Sequence, residues 1–91
     1  MTRELSLQPR LALLASLVPQ GAVLADVGTD HAYLPAALIQ EGTIPAAIAA
    51  DLRQGPLNRA KTTVRECELT GKVAFRLCSG LEGIRPEEAD A

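Results

Sequence analysis

The stretch Ala22–Leu34, AVLADVGTDHAYL, decides how this chain folds. It is a short apolar run that closes on Asp26, passes one glycine, Gly28, and enters a helix. That order marks the first strand of a parallel α/β sheet, in which ligands bind beyond the carboxyl ends of the strands. The glycines that are missing are as informative as the one present. A loop of the G-x-G-x-x-G type needs a second and a third glycine for the backbone to approach a diphosphate. Asp30 and Tyr33 stand at those places. A carboxylate facing a diphosphate is electrostatically unfavourable, so the loop suits a ligand with an adenosine-like part and a positive charge.

Working outward, the chain alternates helices and strands. Leu7, Leu11, Leu14 and Val18 recur at helical spacing and predict an amphipathic helix over Ser6–Val18, with Ser6 as its cap and Pro9 in its first turn. Pro19-Gln20-Gly21 stops it, and Ala22–Val27 is the first strand. A helix over Ala32–Gln40 ends at Gly42. Pro45–Ala50 reads as a second buried strand despite its alanines, because Gly42-Thr43 and Asp51 bracket it. Gly55-Pro56 opens a third helix with Leu57, Ala60, Val64 and Cys67 as its inner stripe, Gly71 ends it, and Lys72–Cys78 is a third strand. The expected fold class is therefore α/β and Rossmann-like, a helix followed by β-α-β-α-β, with parallel strands in the order 3-2-1.

The bulk properties narrow the classes. At 91 residues the chain holds at most one small domain, with 47% hydrophobic and 22% charged residues and one Tyr, one Phe and no Trp, so its core is aliphatic. A net charge of −2 gives no global signature for nucleic acid. Cys67 and Cys78 lie outside the usual metal-ligand spacings and read as reduced thiols of a cytoplasmic protein, with no metal expected. No segment reaches the ~18 apolar residues of a membrane span. A doubly wound sheet continues beyond the first strand, which otherwise exposes an apolar edge. Residues 1–91 thus read as the cofactor-binding N-terminal half of a larger domain; the alternative is a partner chain that covers this edge.

The residues with chemical meaning fall at strand ends. Asp26 is a carboxylate for a cationic ligand end, or one that accepts backbone N–H bonds in a tight turn. Gly28 lets a ligand approach the backbone. Asp51, about 20 residues past the glycine loop, is placed to accept ribose hydroxyls, or else to cap the next helix. Asp30 either caps the second helix or faces the positive centre of the ligand and the substrate. His31 reads as a structural histidine with a smaller case for catalysis, and Tyr33 as packing, with stacking on a base as the alternative. Arg3, Arg10, Arg53, Arg59, Lys61 and Arg65 read as solvated faces. S-adenosylmethionine, an adenosine carrying a sulfonium, meets these requirements.

The strings LADVGTDHAYLPAALIQEG, AIAADLRQGPLNRA and RLCSGLEGI, with the lead-in RLALLASLVPQGA, make the chain resemble the bacterial tRNA (adenine-22-N1)-methyltransferases through nearly its whole length. GTDHAYLP is far more distinctive than a generic glycine loop. The resemblance implies a class I methyltransferase domain followed by a helical RNA-binding domain, S-adenosylmethionine as cofactor and tRNA as partner. It implies that Asp26, Gly28, Asp30 and His31 line the methionine side of the cofactor, and that Asp51 and Leu52 hold ribose and adenine. Ser79, Gly80 and Leu81 fall on the family's Gly-Asp-Gly-Leu loop, where Cys78-Ser79 replaces Gly-Asp and implies weaker cofactor binding. Asp30 is the expected catalytic carboxylate, stabilising the cationic product ring or taking its proton. The family's next strand, its Ile-Ala-Gly-Met-Gly-Gly loop and its RNA-binding domain are absent from these 91 residues, so the isolated chain is expected to be inactive. The competing readings are a class I methyltransferase with another acceptor and a non-catalytic cofactor-binding or interaction module. A nicotinamide oxidoreductase is disfavoured by the missing glycines.

Overall fold

The computed structural model describes residues 3–29, 31–78, 84 and 88–90. Its elements run α1 (Pro9–Ser16), β1 (Val23–Val27), α2 (Tyr33–Gln40), β2 (Ala46–Asp51), α3 (Gln54–Glu66) and β3 (Val73–Leu77). The strands form one parallel sheet with β2 in the middle. This is the α/β fold and strand order that the sequence implies.

The central strand, AAIAAD, lies between two neighbours and is buried from Ala47 to Asp51. Its position in the sheet overrides the helical preference of its alanines, because every backbone N–H and C=O of a buried strand must be paired. The register pairs Leu24 with Ala47 and Asp26 with Ala49 on one side, and Ala47 with Val73 and Ala49 with Phe75 on the other. These residues therefore share one face of the sheet. On that face pack Ala36, Leu38 and Ile39 of α2, Ala60 and Val64 of α3, and Cys67 and Leu69 beyond it. Ile48 and Ala50 point to the opposite face with their partners Ala74 and Arg76, and Arg76 holds Glu88 through two hydrogen bonds of 3.3 and 2.5 Å.

Several element ends differ from the sequence reading. α1 begins at Pro9 rather than Ser6, with Gln8 at its N-cap and no side-chain cap bond. Proline at N1 has the helical φ already set and lacks an N–H that would go unpaired there, so it opens the helix without a serine cap. The stripe Leu7, Leu11, Leu14 and Val18 is not core: none of the α1 residues is buried, because α1 packs on α2 rather than on the sheet. α2 starts at Tyr33, and its N-cap is Ala32 in a left-handed conformation (φ 59°), so Asp30 is not the cap. α3 starts two residues before Pro56. The inner stripe of α3 is buried as the spacing implies, and Thr63 joins it by returning its hydroxyl to the Arg59 carbonyl at 3.2 Å.

The free edge of β1 is partly occupied. The Val23 carbonyl accepts the Asp90 N–H at 2.8 Å, and the Val23 N–H donates to Asp90 Oδ2 at 2.9 Å. Cys67 is buried and Cys78 half-buried, and neither forms a disulfide. Among the described residues no helix is long and apolar enough to cross a membrane.

Leu38 is 1% exposed and Leu13 is 66% exposed, so the two leucines separate core packing from surface cover. In urea unfolding, Leu38→Ala is expected to lower stability by about 2–5 kcal/mol. Leu13→Ala is expected to change it by less than about 0.5 kcal/mol.

Candidate functional site

The site is built on the carboxyl end of β2. The Ala50 carbonyl accepts two hydrogen bonds from the loop after β1, from the Gly28 N–H at 2.8 Å and the Thr29 N–H at 3.1 Å. The next carbonyl, of Asp51, accepts the Cys78 N–H at 2.9 Å. One strand end thus ties down the loops that leave both of its neighbours.

Gly28 carries φ +72°, a conformation that an L side chain adopts at a cost of about 1–2 kcal/mol. A Cβ placed there would meet nothing within 4 Å, so the glycine answers to backbone geometry and leaves open space in front of it. The turn brings Thr29 back onto Asp26, and the Thr29 hydroxyl donates to Asp26 Oδ2 at 2.8 Å. Asp26 Oδ1 accepts no hydrogen bond among the described residues. Burial pushes the Asp26 carboxyl above the usual carboxylate range, and the Thr29 hydroxyl pulls part of the way back. Thr29 is a site residue that the sequence reading missed. The signal was its place three residues after an acid in a tight turn.

Asp51 is buried on the same sheet face as Asp26, two residues further along the neighbouring strand. Its Oδ1 accepts the Arg53 N–H at 3.0 Å, an Asx-type turn that leads into α3. Arg53, not Asp51, is the helix N-cap. Leu52, beside it, is 68% exposed and presents an apolar surface at the strand end. The two strand-end acids are therefore brought to one end of the sheet. Asp30, Ser79, Gly80 and Leu81 lie outside the described residues.

A cleft of about 560 Å³ opens in front of Asp26, Gly28, Thr29, His31, Tyr33 and Leu34. Asp51 and Leu52 do not line it; they adjoin it through the Ala50 carbonyl. Its other wall is the N-terminal segment with the inner side of α1, including Arg3, Glu4, Arg10, Leu11 and Leu14. Arg3 and Arg10 are exposed, as the reading of solvated faces has it, and they also border the cleft, while Leu11 and Leu14 are partly covered on its wall.

Specific bonds hold the segment in place. The Gln40 side chain accepts the Leu5 N–H at 3.1 Å and donates to the Arg3 carbonyl at 2.5 Å. The Arg3 N–H donates to the Glu66 carbonyl at 2.9 Å, and its guanidinium meets the Glu66 carboxylate at 2.6 Å. The guanidinium carbon also lies 5.4 Å from the centroid of the Tyr33 ring, which stacks on His31 at 4.8 Å with the planes 9° apart. Arg3, Tyr33 and His31 thus form a continuous stack along the cleft, and Tyr33 is part of its lining rather than simple packing.

In chemical terms, one end of the sheet offers a partly desolvated carboxylate with a free oxygen, open space over a glycine backbone, a second buried carboxylate and an exposed leucine. This arrangement fits a cationic ligand with a nucleoside part better than a polyphosphate. Among the described residues no three His, Cys, Asp or Glu side chains gather as a metal would need.

Comparison with known proteins agrees with this description. The chain is 42% identical over 88 residues to the tRNA (adenine(22)-N(1))-methyltransferase of Bacillus subtilis, an alignment covering 97% of this chain and 37% of that protein. The crystal structure of the B. subtilis M1A22 tRNA methyltransferase superposes with a TM-score of 0.90 at 41% identity, over 96% of this chain and 37% of that one. A Streptococcus pneumoniae protein solved in complex with S-adenosyl-L-methionine superposes with a TM-score of 0.83 at 44% identity, over 88% of this chain and 37% of that one. The M. capricolum protein solved in complex with S-adenosyl-homocysteine superposes at 0.83 and 41% identity, over 90% of this chain and 36% of that one. The chain thus spans little more than a third of the length of these relatives. The profile of the family described as "Methyltransferase domain" matches residues 7–91. With nearly its whole length matched, the chain belongs to the methyltransferase domain family.

Proposed function

We propose that residues 1–91 are the cofactor-binding part of an S-adenosylmethionine-dependent methyltransferase that modifies N1 of an adenine in tRNA. The observation that carries this reading is the 42% identity to a tRNA (adenine(22)-N(1))-methyltransferase. It runs through the loops that here surround the Asp26–Tyr33 cleft. On this reading tRNA is the partner and the cytoplasm the compartment. The remaining sheet and the RNA-binding domain belong to the other two thirds of the relatives' length.

S-adenosylmethionine, when bound, supplies an electrophilic methyl group. The residues of this chain bind and orient. Asp26, with Oδ1 free and Oδ2 fixed by Thr29, accepts from the ammonium group. Gly28 lets the ligand lie against the backbone. Asp51 accepts ribose hydroxyls with the oxygen that the Arg53 N–H leaves free, and Leu52 covers the adenine ring. His31, stacked on Tyr33, closes the methionine side. Ser79, Gly80 and Leu81 complete the nucleoside end by resemblance. Asp30 is proposed as the carboxylate that stabilises the methylated adenine or takes its N6 proton.

The direct test is calorimetric titration of the chain with S-adenosylhomocysteine and with NAD. Binding of the first and none of the second is expected; the reverse would sink the reading. Transfer of labelled methyl to an adenine-22 tRNA transcript, by a protein that joins residues 1–91 to the rest of the domain, tests the acceptor.

Ser79 replaces the acid of the related loop, so Ser79→Asp exchanges a neutral acceptor for a charged one. A charged acceptor is stronger by roughly 1 kcal/mol. Ser79→Asp is expected to tighten S-adenosylhomocysteine binding about fivefold, read by the same titration.

The raised Asp26 carboxyl has a consequence for stability. Because its folded value lies above the ordinary one, the folded chain holds its proton more tightly than the unfolded chain does. Stability contributed by this group therefore falls as pH rises through the window between the two values. Asp26→Asn is expected to melt higher than the parent at pH 7 in the absence of ligand. That advantage disappears below the ordinary carboxylate pKa of about 4. The same variant loses affinity for S-adenosylmethionine at pH 7, because the neutral amide no longer balances a cation.

A further inference from the structure

Charge is distributed unevenly along this chain. Between Arg53 and Arg76 it carries six Lys and Arg against two Glu, in a protein whose net charge is −2. Asymmetry of this kind marks a surface for a polyanion even where the whole chain is acidic. The structure places the excess on α3 and on the turn that leads into β3. Pro56, Leu57, Ala60, Thr63 and Val64 form the buried side of α3. Gln54, Asn58, Lys61 and Arg65 recur at spacings of four, three and four on the exposed side, and no acid stands between Gln54 and Arg65. This stripe is about 16 Å long, given a helical rise of about 1.5 Å per residue. Arg53 precedes it with its side chain 75% exposed, and Lys72, also exposed, follows it just before β3.

Helix stability accounts for little of this pattern. A solvated helix gains from acids in its first turn and from opposite charges four residues apart. α3 has no acid in its first turn, and Arg53 stands at the end where the helix dipole disfavours a cation; only Arg65, in the last turn, serves the dipole. Among the described residues, Arg53 meets an acid only at 4.0 Å, in Asp51. Lys61 has the Phe75 ring in place of a carboxylate, with Nζ 5.7 Å from the ring centroid. A ring holds an ammonium without neutralising it. The side chains of Arg65 and Lys72 form no ion pair, hydrogen bond or ring contact with any described residue. Glu66 is engaged elsewhere, by Arg3.

We infer that this ridge binds the phosphate backbone of the RNA substrate, with Arg53, Lys61, Arg65 and Lys72 as its phosphate-contacting residues. The inference rests on the proposed tRNA acceptor and adds an RNA surface within residues 1–91. The ridge presents cations and amides, and its aromatic ring lies against Lys61, so it suits backbone contact rather than base reading. Arg53 follows Asp51 by two residues, so the ridge begins at the candidate site. A strand held along α3 is thereby led toward the cleft.

The experiment follows the fluorescence anisotropy of an adenine-22 tRNA transcript titrated with the parent chain at about 50 to 200 mM salt. Four phosphate contacts give a slope of log K against log salt of about −3. Lys61→Ala and Arg65→Ala combined in one chain are expected to bring the slope to about −1.5 and to weaken binding about tenfold at the low-salt end. Arg65→Lys keeps the charge and is expected to keep the slope. Glu41→Gln, at the C-cap of α2, raises the net charge away from the ridge and is expected to change neither slope nor affinity. A double variant with the parent's slope overturns the proposal. Tightening by Glu41→Gln overturns it too, because net charge rather than the ridge would then be the cause. Displacement of the tRNA by polyglutamate at equal charge would point to an acidic protein as the partner and likewise overturn it. A parent that binds S-adenosylhomocysteine and no tRNA loses this inference and keeps the cofactor reading; one that binds tRNA with the expected slope and no S-adenosylhomocysteine does the reverse. Glu41, Lys61 and Arg65 are all exposed, so the variants are expected to fold, and their urea midpoints serve as the check.

Discussion

The Ala50 carbonyl at the end of β2 is the hub of this structure. It accepts the N–H groups of both Gly28 and Thr29, and its neighbour, the Asp51 carbonyl, accepts that of Cys78. A parallel sheet leaves the carboxyl ends of its strands with unpaired polar groups, and something must pair them. Here the loop leaving β1 does so by bending back across the end of β2. That bend requires the positive φ at Gly28, turns the Thr29 hydroxyl onto Asp26, and sets His31 and Tyr33 at the rim of the cleft. The site is thus a consequence of how the sheet end is satisfied rather than an addition to it.

This explains what the sequence could and could not convey. The strands, their order and the acids at their ends were legible, because apolar runs closed by Asp26 and Asp51 follow from local pattern alone. The helix starts were less so. Ser6 and Asp30 are good capping residues, but Pro9 and the left-handed Ala32 set the actual starts, through a fixed φ and through the bend after β1. The second wall of the cleft was not legible at all. Arg3 and Arg10 look like ordinary surface charges until Gln40 and Glu66, from two different helices, are seen to pull the N-terminal segment across the sheet end. Contacts separated by 35 to 63 residues leave no trace in spacing.

The Leu7–Val18 stripe shows the same limit from the other direction. Its periodicity is genuine, and a helix forms, yet the stripe contributes no buried residue. Amphipathic spacing states that a face seeks apolar contact. It does not state whether that contact is sheet, helix or the mouth of a cleft. Here Leu11 and Leu14 turn toward the cleft, and Ala15 and Val18 pack partly against the core. A helix placed this way gains less from burial than a core helix and is therefore easier to shift.

The balance of charges in the cleft follows from that placement. The sheet wall is rigid: β1 is paired along its length to β2, and Asp26 is locked by Thr29. The desolvation that raises the Asp26 carboxyl is a standing penalty in the unliganded chain, and a cation in front of it relieves the penalty. The helical wall is held mainly at Arg3 and Leu5, upstream of α1, and by packing on α2.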